Sequence, residues 1–561
     1  MRPRFAVLCI ISAFIASASI KAAPELDCVG LRAWLGEQLY ISEVGGVGLI
    51  TTGITARCEL DFTYSSREGL GHGYADGQSQ RIRLRVGLPR NSTDGGTGGL
   101  VGAWNGKVQN LGGGGLVGML PAVLPATVAG YVGSSTDSGH TVAENPDFAV
   151  IQETNSLNYG KLDDFLIESV RQQYQWALRL AEVYYGTPAT RNYWAGCSTG
   201  GRQGLSLALA EGDAFDGFLV GAPANYNSRL QLTALWPRWV DKDVTGNTLT
   251  SAQFNAAGIA AVQACDAQDG VADGLLADPR KCRFDARSQI CGMPGAPATD
   301  CLQPEQAQAI NMMWDGPRND EGTRIWFPYE RGASMGAFLD LPHDPCGSLG
   351  AECWAHRDMT FDWGPLPLSQ FDDETMLATN VVAPYSDIMS TALHAAKNRN
   401  AKILMWHGAA DNLIPHRQSI HYYNEAIETF GGLNEVKPWF RFFIAPGVGH
   451  CGGGPGPQPE NLFNVLVNWV ENGVVPNSIP SSSIAGRGGA TITRSRPLCP
   501  WPQEAIFNGI GDQNVAANWR CGGHLETKET VCFDLVAKFQ NETLKGYDTR
   551  GQPNLAVCNS Q

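Results

Sequence analysis

The sequence predicts an α/β protein in which a parallel sheet is split by a large disulfide-rich insertion. Short apolar strands alternate with amphipathic helices on both sides of a cysteine-rich middle third, and that alternation implies a parallel sheet. A G-x-S-x-G sequence sits where one such strand meets a helix. The chain has 15 cysteines. Setting aside Cys9, in a segment that reads as cleaved, leaves an even number, as a disulfide framework in an oxidising compartment would have.

Residues 5–15 are apolar, follow Arg2 and Arg4, and lead into Ala16, Ser17, Ala18, Ala22 and Ala23, so residues 1–23 read as a secretory signal. The apolar run is shorter than the ~20 residues of a membrane span; the alternative for it is a buried first helix. No later stretch is long enough to cross a bilayer, so the expected product is soluble and secreted or periplasmic. Residues 24–225 are assigned to the first part of the core. There, 80–90 alternates apolar and basic side chains as a half-buried strand does, and 147–152 reads as another strand. Helical spacing runs over 163–185, a strand ends at Gly196, 202–209 reads as a helix and 218–220 as a strand. The alternation lapses over 226–395, which carries six cysteines and is assigned to a lid domain. It resumes over 396–500, with a strand at 403–406, a helix at 416–430, a strand at 442–444 and a helix at 460–472. Residues 501–561 form a Cys-stapled tail.

Composition narrows the function. The 41 Lys and Arg against 55 Asp and Glu give a formal charge of −14, or −17 once Arg2, Arg4 and Lys21 leave with the signal. A surface this acidic repels phosphate backbones, which argues against nucleic acid as a partner. With 43% apolar and 17% charged residues the chain reads as a packed globule and not as an acidic disordered chain. Near neighbours suggest the pairs Cys28–Cys58, Cys265–Cys282, Cys291–Cys301, Cys346–Cys353, Cys499–Cys521 and Cys532–Cys558, although spacing alone leaves connectivity open. Cys197 and Cys451 are left without a near neighbour. No CxxC pair occurs, so zinc is a weak alternative.

Gly196-Cys197-Ser198-Thr199-Gly200 lies between a strand and a helix, where a sharp turn would expose the Ser198 hydroxyl at a helix amino terminus. A serine nucleophile needs a base oriented by an acid. In an α/β-hydrolase the order is Ser, acid, His, and Asp411 and His450 follow late strands in that order. His407, His416 and His421 are competing bases, read here as capping or surface residues. Asp137 is a competing acid, but it precedes the serine. If Ser198 and His450 meet, Cys197 and Cys451 meet as well, closing a loop worth about 5 kcal/mol in the chain-entropy model. The rival reading makes Cys197 a thiol nucleophile, which the even cysteine count opposes.

Cys197-Ser198, Asp411 and His450-Cys451 resemble the paired-cysteine triad of the tannase and feruloyl esterase family. Trp104-Asn105-Gly106, Ser135-Thr136-Asp137-Ser138-Gly139-His140, Tyr184-Tyr185-Gly186, Gly201-Arg202-Gln203-Gly204, Phe215-Asp216-Gly217 and Arg496-Pro497-Leu498-Cys499-Pro500 extend the resemblance over nearly the whole mature chain. It implies an α/β-hydrolase core with a lid inserted after Pro223, and hydrolysis of a small-molecule aromatic ester of hydroxycinnamoyl, galloyl or terephthaloyl type, with no organic cofactor. The oxyanion needs two fixed donors. The Thr199 N–H is one, and Gly113 or Gly114 of the early glycine-rich loop is expected to supply the other; the alternative for that loop is a flexible turn.

The acid-rich stretch 265–275 alone reads as a solvated turn, but it resembles the family's lid calcium site. The resemblance assigns a structural calcium to Asp266, Asp269 and Asp273, with the carbonyls of Val271 and Leu275, ligands of the hard-oxygen kind calcium takes. Trp354, Phe361 and Trp363 are expected to stack on the aromatic acid and Arg357 to meet a carboxylate; their alternative is ordinary lid core. Asn91 and Asn541 lie in N-x-[ST] sequons. A catalytically silent secreted binding protein on this scaffold, or a serine peptidase of the same fold, are the competing functions.

Overall fold

Nine strands build the central sheet: β1 (Ile41–Ile50), β2 (Arg57–Tyr64), β3 (Ile82–Pro89), β4 (Lys107–Leu111), β5 (Val132–Thr136), β6 (Arg191–Cys197), β7 (Gly217–Gly221), β8 (Lys402–Gly408) and β9 (Phe440–Ala445). The structure, a computed structural model, describes residues 25–525 apart from 52, 54, 66–80, 320–323, 341–342, 344–345, 347–349 and 486–490. The expected signal segment, Asn541 and the Cys532–Cys558 pair lie outside the described residues. The strand order is β1-β2-β3-β5-β4-β6-β7-β8-β9. The first three strands and β5 pair antiparallel, and from β5 to β9 every pairing is parallel.

The parallel strands are legible in sequence because both their faces are covered. Alternate residues point to opposite faces. Tyr193, Leu404, Trp406 and Phe443 pack with Leu466 and Trp469 of the helix Leu462–Asn472. Trp194, Ile403, Met405 and Phe442 pack with Leu205 and Leu207 of the helix Thr199–Ala210 and Ile420 of the helix Arg417–Thr429.

Four strands, β1, β2, β4 and β5, carry no such signal. In β4 and β5 the interior is polar: Asn110 Nδ2 donates to Asn192 Oδ1 at 2.7 Å, and Ser134 Oγ to Asn110 Oδ1 at 2.7 Å. Buried polar groups are tolerated there because they pair with one another. In β1 the pairing with β2 shifts register between Ser42 and Gly45 and again between Gly45 and Gly48, so inside and outside do not alternate. The strand expected at 147–152 is a correction. Asp147–Ala149 is a short 3-10 turn, and Val150–Ile151 pairs only with Ser156–Leu157, apart from the central sheet. Phe148 there stacks on His140 at 3.8 Å, so the segment serves as an aromatic anchor.

Between β7 and β8 no described residue joins the central sheet. This lid packs around Trp236, Trp239, Phe254, Trp314, Trp354, Trp363 and Phe371 and contains the disulfides Cys265–Cys282, Cys291–Cys301 and Cys346–Cys353. The molecule is an α/β-hydrolase core carrying a disulfide-rich lid. Cys28–Cys58 and Cys499–Cys521 pair as expected. The start of the tail is no appendage: Trp501 is buried in the core beside Phe442. Asn91 is wholly buried, with its amide nitrogen donating to Leu26 O and Tyr184 O, so that sequon is closed to modification.

Candidate active site

Ser198 stands between β6 and the helix Thr199–Ala210 at φ 62° and ψ −124°, a left-handed backbone that a non-glycine residue adopts at a cost. The turn closes because its neighbours lack side chains. A Cβ on Gly196 would stand 2.5 Å from Gly200 O, and one on Gly200 2.8 Å from Gly113 O. The backbone N–H of Ser198 donates to Gly221 O at 2.9 Å, anchoring the elbow to β7.

The partners come from the next two strands. The loop after β8 is held to the loop after β9 by Ala409 N to Ala445 O and Ala410 N to Val448 O, both 2.9 Å. His450 Nδ1 meets Asp411 Oδ2 at 2.8 Å, and Asp411 Oδ1 accepts the N–H groups of Leu413 and Ile414. Cys197 is bonded to Cys451, with Cα atoms 6.0 Å apart across 254 residues of sequence, so the residues next to Ser198 and His450 are tied directly together. Cys197 is therefore not a free thiol. Burial alone would raise the Asp411 carboxyl, but hydrogen bonds from His407 and His450 hold it well below the usual carboxylate range.

The glycine loop packs on the elbow. Gly200 N donates to Gly113 O, and the Thr199 hydroxyl to Gly115 O. The Gly113 N–H, expected as an oxyanion donor, is instead given to Gln203 Oε1 at 3.1 Å, while Gln203 Nε2 donates to Ser138 Oγ. That corrects the assignment of Gly113. Gly114, where an added Cβ would meet nothing within 4 Å, borders open space.

Of the three histidines read as capping or surface groups, His407 and His416 are buried and His421 is half-buried. His407 is buried against Asp411 at 3.0 Å. His416 stands at the start of its helix, as expected, but makes no side-chain capping hydrogen bond; it is buried near Glu330, and burial lowers it to about 3. His421 lies between Tyr226 and Phe327 and is lowered to about 4, chiefly by burial. Asp137, raised to about 7 by burial, accepts the N–H groups of Gly139 and Arg83, whereas the carboxylate bonded to His450 is that of Asp411. Sequence reasoning missed Gln203 and the role of His407. The only signal for the latter is a histidine four residues before the acid at the end of a strand.

Two of the four lid residues expected to bind substrate, Trp354 and Trp363, are closed off. Trp354 and Trp363 are 0% and 2% exposed, so neither offers a surface to a ligand in this conformation. Trp354 Nε1 donates to Pro146 O, and Trp363 packs on Trp239. Phe361 stacks on His356, and Arg357 is exposed beyond the helix Ala351–His356. All four are built into the lid or its surface.

In the acidic loop, Asp266 Oδ1 accepts the N–H groups of Asp273, Gly274 and Leu275, and Asp273 Oδ2 pairs with Arg496 at 2.6 Å. Among the described residues no group of three His, Cys, Asp or Glu side chains converges as a metal site. The donor chemistry nevertheless suits a hard cation. Asp269 is raised by partial desolvation and by the charges of Asp273 and Asp266, a repulsion that a divalent cation relieves. The loop, distant in sequence from the triad, packs on the loop that carries His450. A Cβ on Gly447, in the His450 loop, would stand 2.6 Å from Leu275 Cδ2.

Residues 100–339 and 348–522 match the sequence profile of tannase and feruloyl esterase. The chain belongs to the tannase and feruloyl esterase family. It is a carboxylic ester hydrolase. A probable feruloyl esterase of Arthroderma benhamiae is 32% identical over 442 residues, covering 74% of this chain and 80% of that one. The mono(2-hydroxyethyl) terephthalate hydrolase of Piscinibacter sakaiensis is 28% identical over 536 residues, covering 83% and 84%. The crystal structure of feruloyl esterase B from Aspergillus oryzae superposes with a TM-score of 0.72 at 20% identity, covering 88% of this esterase and 99% of that chain. The tannin acyl hydrolase of Aspergillus niger superposes at 0.71 and 22% identity, covering 89% and 96%; both support the fold. No helix among the described residues is long and apolar enough to cross a membrane.

Proposed function

We propose that this esterase is an exported enzyme that cleaves esters of aromatic acids through Ser198, His450 and Asp411. The observation that carries the reading is the disulfide Cys197–Cys451, which ties the elbow serine to the histidine that Asp411 orients. His450 Nε2 takes the Ser198 proton as Oγ attacks the ester carbonyl, and Asp411 stabilises the imidazolium. The tetrahedral oxyanion rests on the N–H groups of Thr199 and Gly114. Collapse breaks the acyl–oxygen bond, the alcohol leaves with the proton from His450, and an acyl-Ser198 ester is left. Water, deprotonated by His450, then releases the acid and restores the serine. The named activities of the A. benhamiae and P. sakaiensis relatives support an aromatic acyl group.

A calcium ion in the lid would be held by Asp266, Asp269 and Asp273 with the carbonyls of Val271 and Leu275. It would neutralise the carboxylates that back the His450 loop. The apolar amino-terminal segment and the six disulfides among the described residues support a secreted or periplasmic protein. The test is hydrolysis of methyl ferulate, methyl gallate, chlorogenate and a terephthalate monoester by wild type and Ser198→Ala. Turnover of at least one by wild type and of none by the variant is expected. Equal turnover by both proteins would refute the nucleophile assignment.

A further inference from the structure

Asp411 is shared by two imidazoles. Its Oδ2 accepts from His450 Nδ1 at 2.8 Å and from His407 Nε2 at 3.0 Å, while its Oδ1 accepts from Leu413 N at 2.8 Å and Ile414 N at 2.9 Å. The His407 side chain is wholly buried. Its Nε2 also faces Ile414 O at 3.1 Å. Two acceptors before one ring nitrogen require that nitrogen to carry the proton. Nδ1 lies 2.8 Å from Ser419 Oγ, a hydroxyl that can donate to the bare nitrogen of a neutral ring protonated at Nε2. The Nε2 end specifies the tautomer, and the Ser419 end accommodates it.

We propose that His407 is a positioning residue for the triad, its Nε2–H holding Asp411 in register with His450 and sharing the carboxylate oxygen that His450 uses. The proposal rests on the triad reading above. A carboxylate with four donors is held in one rotamer, and each donor it receives weakens its grip on a neighbouring imidazolium. Without His407, Oδ2 would serve His450 alone, and the imidazolium would persist to higher pH. The other groups around this ring are His416, with ring centres 6.4 Å apart, and behind it Glu330, Arg417 and Arg280. Tyr329 faces Asp411. None of these is altered in the variants below, so their field is common to all of them.

The test is the pH profile of kcat/KM on an aromatic ester for wild type, His407→Leu and His407→Gln. The Gln amide can return an N–H near the position of Nε2. In His407→Leu the acid limb is expected to move up by about one pH unit, with kcat down about tenfold. His407→Gln is expected to bring the limb back towards wild type. A merely structural role would lower the yield of folded enzyme and leave the limb in place. A folded His407→Leu enzyme with the wild-type limb overturns the proposal. If that happens while His450→Ala is inactive, this proposal alone fails; an active His450→Ala overturns the triad reading and this proposal together. Should His407→Leu not fold, 15N-histidine spectra of the wild-type enzyme decide. A protonated Nε2 with a bare Nδ1 on His407 is expected, and the opposite tautomer overturns the proposal.

Discussion

Two loop aspartates meet opposite surroundings. Asp411 is enclosed, and its two oxygens receive two imidazoles and two backbone N–H groups. Asp269 receives the Val271 N–H and faces the charges of Asp273 and Asp266. The first carboxyl is held low and the second is raised. At the active site the fold supplies the compensating groups itself. In the lid loop it gathers charge of one sign and offsets part of it through the Asp273–Arg496 pair. One carboxylate is thus fully compensated by the fold, whereas the charges around the other are offset only in part.

The largest effect should come from breaking the first arrangement. Asp411→Asn keeps the shape but disturbs the tautomer of His450, and kcat should fall about 10⁴-fold, as measured by steady-state hydrolysis with the fold checked by circular dichroism. Next comes the bridge between elbow and histidine loop. The Cys197→Ser, Cys451→Ser double variant should lose about 2–5 kcal/mol of stability, read from urea denaturation. A midpoint equal to that of wild type would show that the bridge adds no stability.

Smaller still is the effect expected at the glycine loop. Gln203→Leu frees the Gly113 N–H and removes the link to Ser138. A drop in kcat of about 10- to 100-fold with KM little changed is expected if that link aligns an oxyanion donor.

The smallest concerns the second aspartate. Because the carboxyl of Asp269 is raised, its contribution to stability is present below the unfolded carboxylate range and lost as pH rises through its folded value. A chelated sample should therefore lose thermal stability as pH rises through that range, and excess calcium should raise its Tm by a few degrees, about what ligand binding at 100 times Kd supplies. A melting curve indifferent to chelator and calcium would count against a cation in this loop.

How much was legible differs between the same two regions. Ser198 was singled out because an elbow restricts the residues around it, and Asp411 and His450 because they lie in the loops that follow the short apolar strands β8 and β9. His407 ends one of those strands too, yet nothing in its neighbours distinguishes a ring turned onto Asp411 from one turned elsewhere. Gln203 lies inside a helix whose glycines and leucines draw the eye. β4 and β5 were missed because Asn110 and Ser134 satisfy each other in the interior, a pairing that leaves no periodic trace. Trp354 and Trp363 were offered to the substrate on residue type alone, which cannot tell a pocket wall from a lid core.

The central claim is that Ser198 performs the ester chemistry. A fluorophosphonate allowed to inactivate the wild-type enzyme and mapped by peptide mass spectrometry tests it most directly. The account predicts one adduct, on Ser198, rising in step with the loss of aromatic-ester hydrolysis. Full inactivation with Ser198 unmodified, or full hydrolysis with Ser198 wholly modified, would contradict it.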